Sequence, residues 1–256
     1  MFFCVRVIIL GNLKKDKYYM NNKIIDPEIS YAMPHKHLAQ FGMVWVAIMV
    51  LTLFSASKTI NIFGAEFVVA IIAYPLTYIF SDIFTEIYGY RVSRKIVWTG
   101  FGSLILVATL GYIYTLIPAS PNFTDQASFN LIFQAAPGLV ACFIAGFFAG
   151  DLINSFVLAK MKVALFGKYE ELRYVVSTFF GQLADNTIAF TGVYVILSGF
   201  YPLVIIPTLI ISSVIFCTLV EIIMLPITKR VISWIKEKEG IDTYDHGTNF
   251  NPFKLG

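Results

Sequence analysis

Long apolar stretches alternate with short polar breaks along the chain, a pattern typical of a protein that crosses a membrane several times. A helix needs about 20 apolar residues to cross the hydrocarbon core of a bilayer. Breaks rich in glycine, asparagine and proline separate the stretches. The pattern predicts six transmembrane helices, over residues 40–57, 64–87, 96–117, 131–158, 173–197 and 202–228.

Composition agrees with this pattern. Hydrophobic residues make up 57% of the 256 residues and charged residues 14%, and a soluble globule could not bury so much apolar side chain. We predict an all-α, polytopic membrane domain over residues 39–230, between a polar N-terminal tail, 1–38, and a cytoplasmic C-terminal tail, 231–256. A true start at Met20 or Met33 stays open.

The basic residues predict the orientation. All of the 19 Lys and Arg residues except Lys58 lie in the two tails or in the segments after the second and fourth spans. Because cytoplasmic segments carry the excess of Lys and Arg, both termini are expected in the cytoplasm. The protein is predicted to be a multi-pass protein of a bacterial inner membrane. The membrane also explains the net charge of +3 without a nucleic-acid partner.

Acidic and amide side chains inside the predicted spans are the main functional signal. Ionisable groups are costly in a bilayer and usually face a bundle interior or a water-filled path. The acids have almost no basic residues near them in sequence, which predicts a polar pocket or route, with Glu66 as an outer gate. The candidate substrate-binding residues are Asp82, Glu86, Asp151, Asn154, Gln182, Asp185 and Glu221, with Tyr78 and Phe180 as aromatic faces for a flat ligand.

Helical spacing supports shared faces. The pairs Asp82 and Glu86, Asp151 and Asn154, and Gln182 and Asp185 are three or four residues apart, so each pair projects from one side of its helix. Other interpretations remain. The first pair suits a solvated helix end with Arg91 or Arg94 as partners, and the aspartates of the other two suit polar contacts between helices.

A GxxxG pattern at Gly146 and Gly150 predicts close helix packing. The packing partner is either another helix of the same chain or a second copy, so a homodimer through this face is a second expectation.

Enzymatic and metal-dependent functions find little support. The three histidines lie in the tails and the three cysteines lack metal-ligand spacing, so neither a metal nor a cofactor is expected. GxSxG, HExxH and Walker A motifs are absent from the sequence. An intramembrane aspartyl protease would use Asp151 with Asp185, but Phe148 stands where its GxGD pattern needs glycine. We predict no enzymatic activity, and ATP-driven transport would need partner chains.

Three segments resemble the queuosine precursor transporter family, formerly described as vitamin uptake proteins. They are YPLTYIFSDIFTEIYGYRVSRKIVWTGF (residues 74–101), FFAGDLINSFVLAKMK (147–162) and VSTFFGQLADNTIAFTGVYV (176–195). A fourth segment, FCTLVEIIMLPITKR (216–230), fits more loosely. The resemblance covers roughly residues 40–230. The segments occur in the same order as in the family and at fitting spacing.

The resemblance implies inner-membrane uptake of 7-deazaguanine bases (preQ0, preQ1 or queuine) for tRNA modification. A guanine-like edge presents an N–H and an amino group side by side, which one carboxylate can accept. Asp185 or Asp151 is our candidate for this role, and an aminomethyl cation would favour Asp82 or Glu86. The alternatives are a substrate-binding subunit of an energy-coupling-factor vitamin transporter and a structural membrane protein without transport activity.

Overall fold

The computed structural model describes residues 24–25, 30, 35–56, 58–62, 64–134, 136–197, 202–251 and 253. Within these residues the helices are α1 (Leu38–Ser55), α2 (Tyr74–Tyr88), α3 (Tyr90–Thr115), α4 (Gln126–Gln134), α5 (Ala136–Ala164), α6 (Glu170–Ile196) and α7 (Ile206–Glu239). Two 3-10 turns cover Val69–Ile72 and Leu203–Ile205. The short strands are β1 (Ile24–Ile25), β2 (Thr59–Ile62), β3 (Ala65–Val68) and β4 (Asp242–Thr243).

Six of the helices correspond to the six predicted spans, which confirms the all-α membrane fold. The helices α1, α3, α5 and α7 are long and apolar enough to cross a membrane. Helix α6 is long but places many polar residues on its inner face. Helix α2 has 15 residues, which at the usual rise per residue make a rod of roughly 22 Å. Helix α4 is an additional short helix that precedes α5.

The first half of the predicted second span is not a helix, which corrects the prediction of 64–87. Strands β2 and β3 form an antiparallel hairpin there, followed by the 3-10 turn. Gly64 has a positive φ of 85°, and its N–H donates to the Asn61 side chain at 3.0 Å. Hydropathy cannot distinguish a short apolar strand from a helix. Phe67 of the hairpin packs against Phe216 of α7.

Four helices extend further than predicted. Helix α3 begins at Tyr90 instead of 96, α5 ends at Ala164 instead of 158, α6 begins at Glu170 instead of 173, and α7 ends at Glu239 instead of 228. The extensions carry basic residues that the sequence had placed in loops or tails. Two of them, Arg94 and Lys162, have side chains that are buried in the bundle.

The turns at Gly89, at residues 165–169 and at Gly240 lie at one end of the bundle, which we call the basic end. The described parts of both tails lie there as well: β1 pairs in parallel with β4, and the Glu239 carboxylate accepts the His37 N–H at 2.7 Å. The β2–β3 hairpin lies at the opposite end, the hairpin end. The described chain ends therefore share one end, as an even number of crossings requires.

The C-terminal tail packs on the bundle instead of extending from it. Phe250 contacts the Tyr90 ring, and Phe253 contacts Trp98. The Asp245 carboxylate accepts the Tyr90 N–H at 3.2 Å. Burial raises the pKa of Asp245 above its ordinary value, although hydrogen bonds from Thr248 and Tyr90 oppose the shift.

Helices α5 and α6 approach closely along a line of glycines. A Cβ atom on Gly150 would lie 2.3 Å from the Tyr78 hydroxyl oxygen and 2.6 Å from the Gly181 carbonyl oxygen. A Cβ on Gly146 would lie 2.8 Å from the Ala189 Cβ. The GxxxG pair is thus covered within the chain, which leaves no room on this face for the second copy that a homodimer through it would need.

Gly150→Ala is expected to lower the melting temperature of the purified protein, because overpacking a tight contact costs about 1–3 kcal/mol. Gly102→Ala is the matched control, since a Cβ there meets no atom within 4 Å and alanine favours a helix by up to ~1 kcal/mol. Thermal unfolding in detergent measures both variants. Equal melting temperatures would contradict the close contact at Gly150.

Candidate functional site

Polar side chains from α2, α5, α6 and α7 form a line through the bundle from the hairpin end to the basic end. All seven predicted acids and amides belong to it, and none is more than 2% exposed: Asp82, Glu86, Asp151, Asn154, Gln182, Asp185 and Glu221. Tyr78 is fully buried among them. Phe180 is separate, because its side chain is 50% exposed on the outer surface of α6.

A cavity of about 90 Å³ lies at the hairpin end of this line. It is lined by residues of α1, β3, the first 3-10 turn, α2, α5, α6 and α7. Tyr74 and Phe143 contribute aromatic rings to a mostly apolar wall, and Asp185 and Asn186 contribute its polar groups. Few polar groups on an apolar wall are typical of small-molecule sites.

Two tyrosines position Asp185 at this cavity. The Tyr74 hydroxyl donates to Asp185 Oδ2, and the Tyr78 hydroxyl donates to the same oxygen at 2.9 Å. Beside it, Asn186 Nδ2 donates to the Gln182 side-chain oxygen at 2.8 Å. The geometry holds an acceptor group in a fixed place between α2 and α6.

Asp151 has a basic partner, Arg94, in the adjacent helix. Arg94 of α3 forms a buried ion pair with Asp151 and donates to Ser155 at 2.9 Å. Ser81 donates to the other Asp151 oxygen. The alternative in which Arg94 is the partner of Asp82 or Glu86 is therefore not supported, and Asp151 is not an uncompensated acid. This ion pair also differs from the paired carboxyls that an aspartyl protease needs.

Asp82, Asn154 and Glu221 are all buried in the bundle. Asn154 Nδ2 donates to Asp82 Oδ1 at 2.6 Å. Within the described part of the chain, Asp82 Oδ2, Asn154 Oδ1 and both Glu221 oxygens accept no hydrogen bond. A buried polar atom without a partner costs about 1–3 kcal/mol, so leaving these four atoms unpaired is unfavourable.

Glu86 anchors a network of charges at the basic end, which we call the Glu86 cluster: Glu86, Lys162, Arg173, Lys236 and Asp242. Arg173 Nη1 donates to Glu86 Oε2 at 2.8 Å, and Lys236 Nζ donates to Oε1 at 2.9 Å. Lys162 Nζ lies 3.1 Å from Glu86 Oε1 and donates to Asp242 at 2.8 Å. The cluster joins α2, α5, α6, α7 and β4, and its own cations compensate Glu86.

These basic partners were not predicted from the sequence, because Lys162 was assigned to a loop and Lys236 to the C-terminal tail. A usable signal was present on α2, where Tyr74, Tyr78, Asp82 and Glu86 recur every four residues on one helix face. That stripe runs from the cavity to the Glu86 cluster. In the part of the chain that the structure describes, no three His, Cys, Asp or Glu side chains are arranged to hold a metal ion.

A comparison with known families decides the affiliation. Residues 68–231 match the profile of the family described as "Putative vitamin uptake transporter". The chain belongs to this family. The family resemblance noted in the sequence is therefore confirmed, and the chain is a multi-pass membrane protein of a family of transporters.

The chain is also similar to a curated protein whose name is more specific than the description of the vitamin uptake transporter family. The chain is 26% identical over 168 residues to a protein of Bacillus subtilis (strain 168) named "Probable queuosine precursor transporter". The alignment covers 62% of this chain and 73% of the relative. No solved structure matches the chain.

Proposed function

We propose that the chain takes up queuosine precursors, 7-deazaguanine bases such as preQ0, preQ1 or queuine, across a bacterial inner membrane for tRNA modification. The family and the name of the Bacillus subtilis relative support a transporter of this kind. The observation that carries the proposal is the cavity at the hairpin end, where a buried carboxylate lies beside aromatic rings.

Asp185 is the group that we assign to the base. A carboxylate can accept the N–H and the amino group of a guanine-like edge together, and Asp185 lines the cavity. Asp151, the other candidate, already pairs with Arg94. Tyr74 and Phe143 offer ring faces in the same cavity, and stacking on an aromatic ring contributes about 1–3 kcal/mol per base in nucleic-acid complexes.

The orientation follows from the same proposal. With the basic end in the cytoplasm, the cavity lies in the outer half of the membrane, where an incoming base arrives. The Glu86 cluster then closes the cytoplasmic side of the path. A base that leaves Asp185 for the cytoplasm has to pass Asp82, Glu221 and this cluster.

The experiment that tests the proposal measures queuosine in tRNA from cells that cannot synthesise the base. Cells with and without this gene are fed trace amounts of preQ0, preQ1 or queuine in separate cultures. Queuosine that depends on the gene supports the proposal, and the effective precursor identifies the substrate. Absence of any gene dependence, with the protein detected in the membrane, would contradict the queuosine assignment.

A further inference from the structure

We infer that Ser213 of α7 is a specificity residue, whose hydroxyl oxygen accepts the N–H of the five-membered ring of the transported base. This contact would select free bases over their nucleosides. The inference rests on the proposed function and adds to it a second polar contact in the cavity, at the end of the base away from Asp185.

The first argument is an unpaired hydroxyl in the wall of the cavity. Ser213 lines the cavity, and its side chain is 1% exposed. Within the residues that the structure describes, Ser213 Oγ has no hydrogen-bond partner. Because buried hydroxyls are normally paired, a polar atom of a ligand in the cavity would supply the missing hydrogen bond.

The second argument is the depth of the two polar groups. Asp185 lies at the inner side of the cavity, since it accepts hydrogen bonds from the first two turns of α2. The α6 residues that line the cavity run from Asp185 to Val193 toward the hairpin end, about 12 Å of helix. Ser213 lies level with the hairpin, because Oγ of the neighbouring Ser212 is 3.3 Å from the Glu66 carbonyl oxygen of β3. Asp185 and Ser213 therefore line one cavity at different depths.

The third argument is the chemistry of the base. With its guanine-like edge on Asp185, the base directs its five-membered ring away from Asp185, toward the hairpin side where Ser213 lies. A 7-deazaguanine has carbon in place of one nitrogen of that ring, so the N–H is the only polar atom of the ring itself. A hydroxyl oxygen can accept an N–H. In a nucleoside the same nitrogen carries the sugar and has no hydrogen to donate.

The test measures the binding of two ligands to purified protein in detergent by titration calorimetry. The ligands are 7-deazaguanine and its derivative methylated on the nitrogen of the five-membered ring. Neither has an arm on that ring, so contacts of an arm cannot contribute. The wild type is expected to bind 7-deazaguanine about 10-fold more tightly than the methylated ligand, the difference expected for one buried hydrogen bond.

Ser213→Ala is expected to lower the affinity for 7-deazaguanine about 10-fold and to leave the affinity for the methylated ligand unchanged. Ser212→Ala is the matched control, because it makes the same chemical change one residue away. The Ser212 hydroxyl donates to the Thr208 carbonyl oxygen at 2.6 Å and does not line the cavity. This control should keep the preference of the wild type.

Thermal unfolding without ligand separates recognition from a structural role. Ser213 Oγ has no partner to lose within the described residues, so Ser213→Ala should melt at a temperature at least equal to that of the wild type. A lower melting temperature together with an equal loss of both ligands would assign Ser213 a structural role and overturn the inference.

Equal affinities of the wild type for the two ligands, or an unchanged preference in Ser213→Ala, would also overturn it. If the wild type bound neither ligand, the inference would fail together with the assignment of the cavity to the base. The proposed function fails in a different way. It is contradicted if the purified protein binds 7-deazaguanine but cells form no queuosine that depends on the gene.

Discussion

Asp185→Asn is expected to abolish uptake of 7-deazaguanine bases while the protein still reaches the membrane at its normal level. The amide offers one acceptor oxygen where the carboxylate offers two, so it cannot accept an N–H and an amino group together. Losing one charge-assisted hydrogen bond corresponds to a fall of about 10- to 100-fold. Tyr74 and Tyr78 can still donate to the remaining oxygen, which preserves the contact between α2 and α6.

The measurement is the rate of queuosine formation in tRNA from cells fed the effective precursor. Asp125→Asn is the matched control, because it makes the same chemical change at an exposed position before α4. Control uptake should equal that of the wild type. Undiminished uptake by Asp185→Asn would remove Asp185 from the substrate site.

Glu86→Gln is expected to destabilise the bundle by about 3–5 kcal/mol, the usual cost of removing one partner from a buried ion pair. In the wild type, Glu86 and Asp242 face Lys162, Arg173 and Lys236. The variant leaves the three cations with one carboxylate. Thermal unfolding of the purified protein in detergent should show a large fall in melting temperature, together with a low yield of folded protein.

An exposed ion pair in the same chain provides a control for Glu86→Gln. Glu171 and Lys229 also form an ion pair, with side chains that are 53% and 39% exposed. Because exposed ion pairs contribute about 0–1 kcal/mol, Glu171→Gln should leave the melting temperature almost unchanged. If Glu86→Gln were as stable as Glu171→Gln, the Glu86 cluster would not hold the basic end together.

The sequence predicted the six long helices because the apolar stretches are long and the breaks between them carry turn residues. It failed at residues 64–72, where a similar apolar composition forms the second strand of the hairpin and a 3-10 turn. Local chemistry explains the difference, because Gly64 takes a positive φ and β2 pairs with β3 residue by residue. The mean hydropathy of a segment gives no information about the φ of Gly64 or about the pairing of β2 with β3.

The candidate site was predictable in its residue types but not in its pairing. Acids inside apolar stretches correctly indicated the polar line through the bundle. Their partners could not be assigned, because Arg94 and Lys162 lay outside the predicted spans and reach Asp151 and Glu86 only through longer helices and tertiary packing. Phe180 was predicted as an aromatic face for a flat ligand, but it projects from an exposed face of α6. Its place in a binding site remains an untested prediction.

The glycine contact between α5 and α6 has a consequence for how the protein would operate as a transporter. Backbones that approach this closely leave no side-chain layer between them to slide or repack, so the two helices form one mechanical unit. Asn154 and Asp185 belong to this unit, whereas Asp82 and Glu221 belong to α2 and α7. Rocking of the α5–α6 unit against α2 and α7 would therefore widen or narrow the space between these acids, with little internal change in either helix pair.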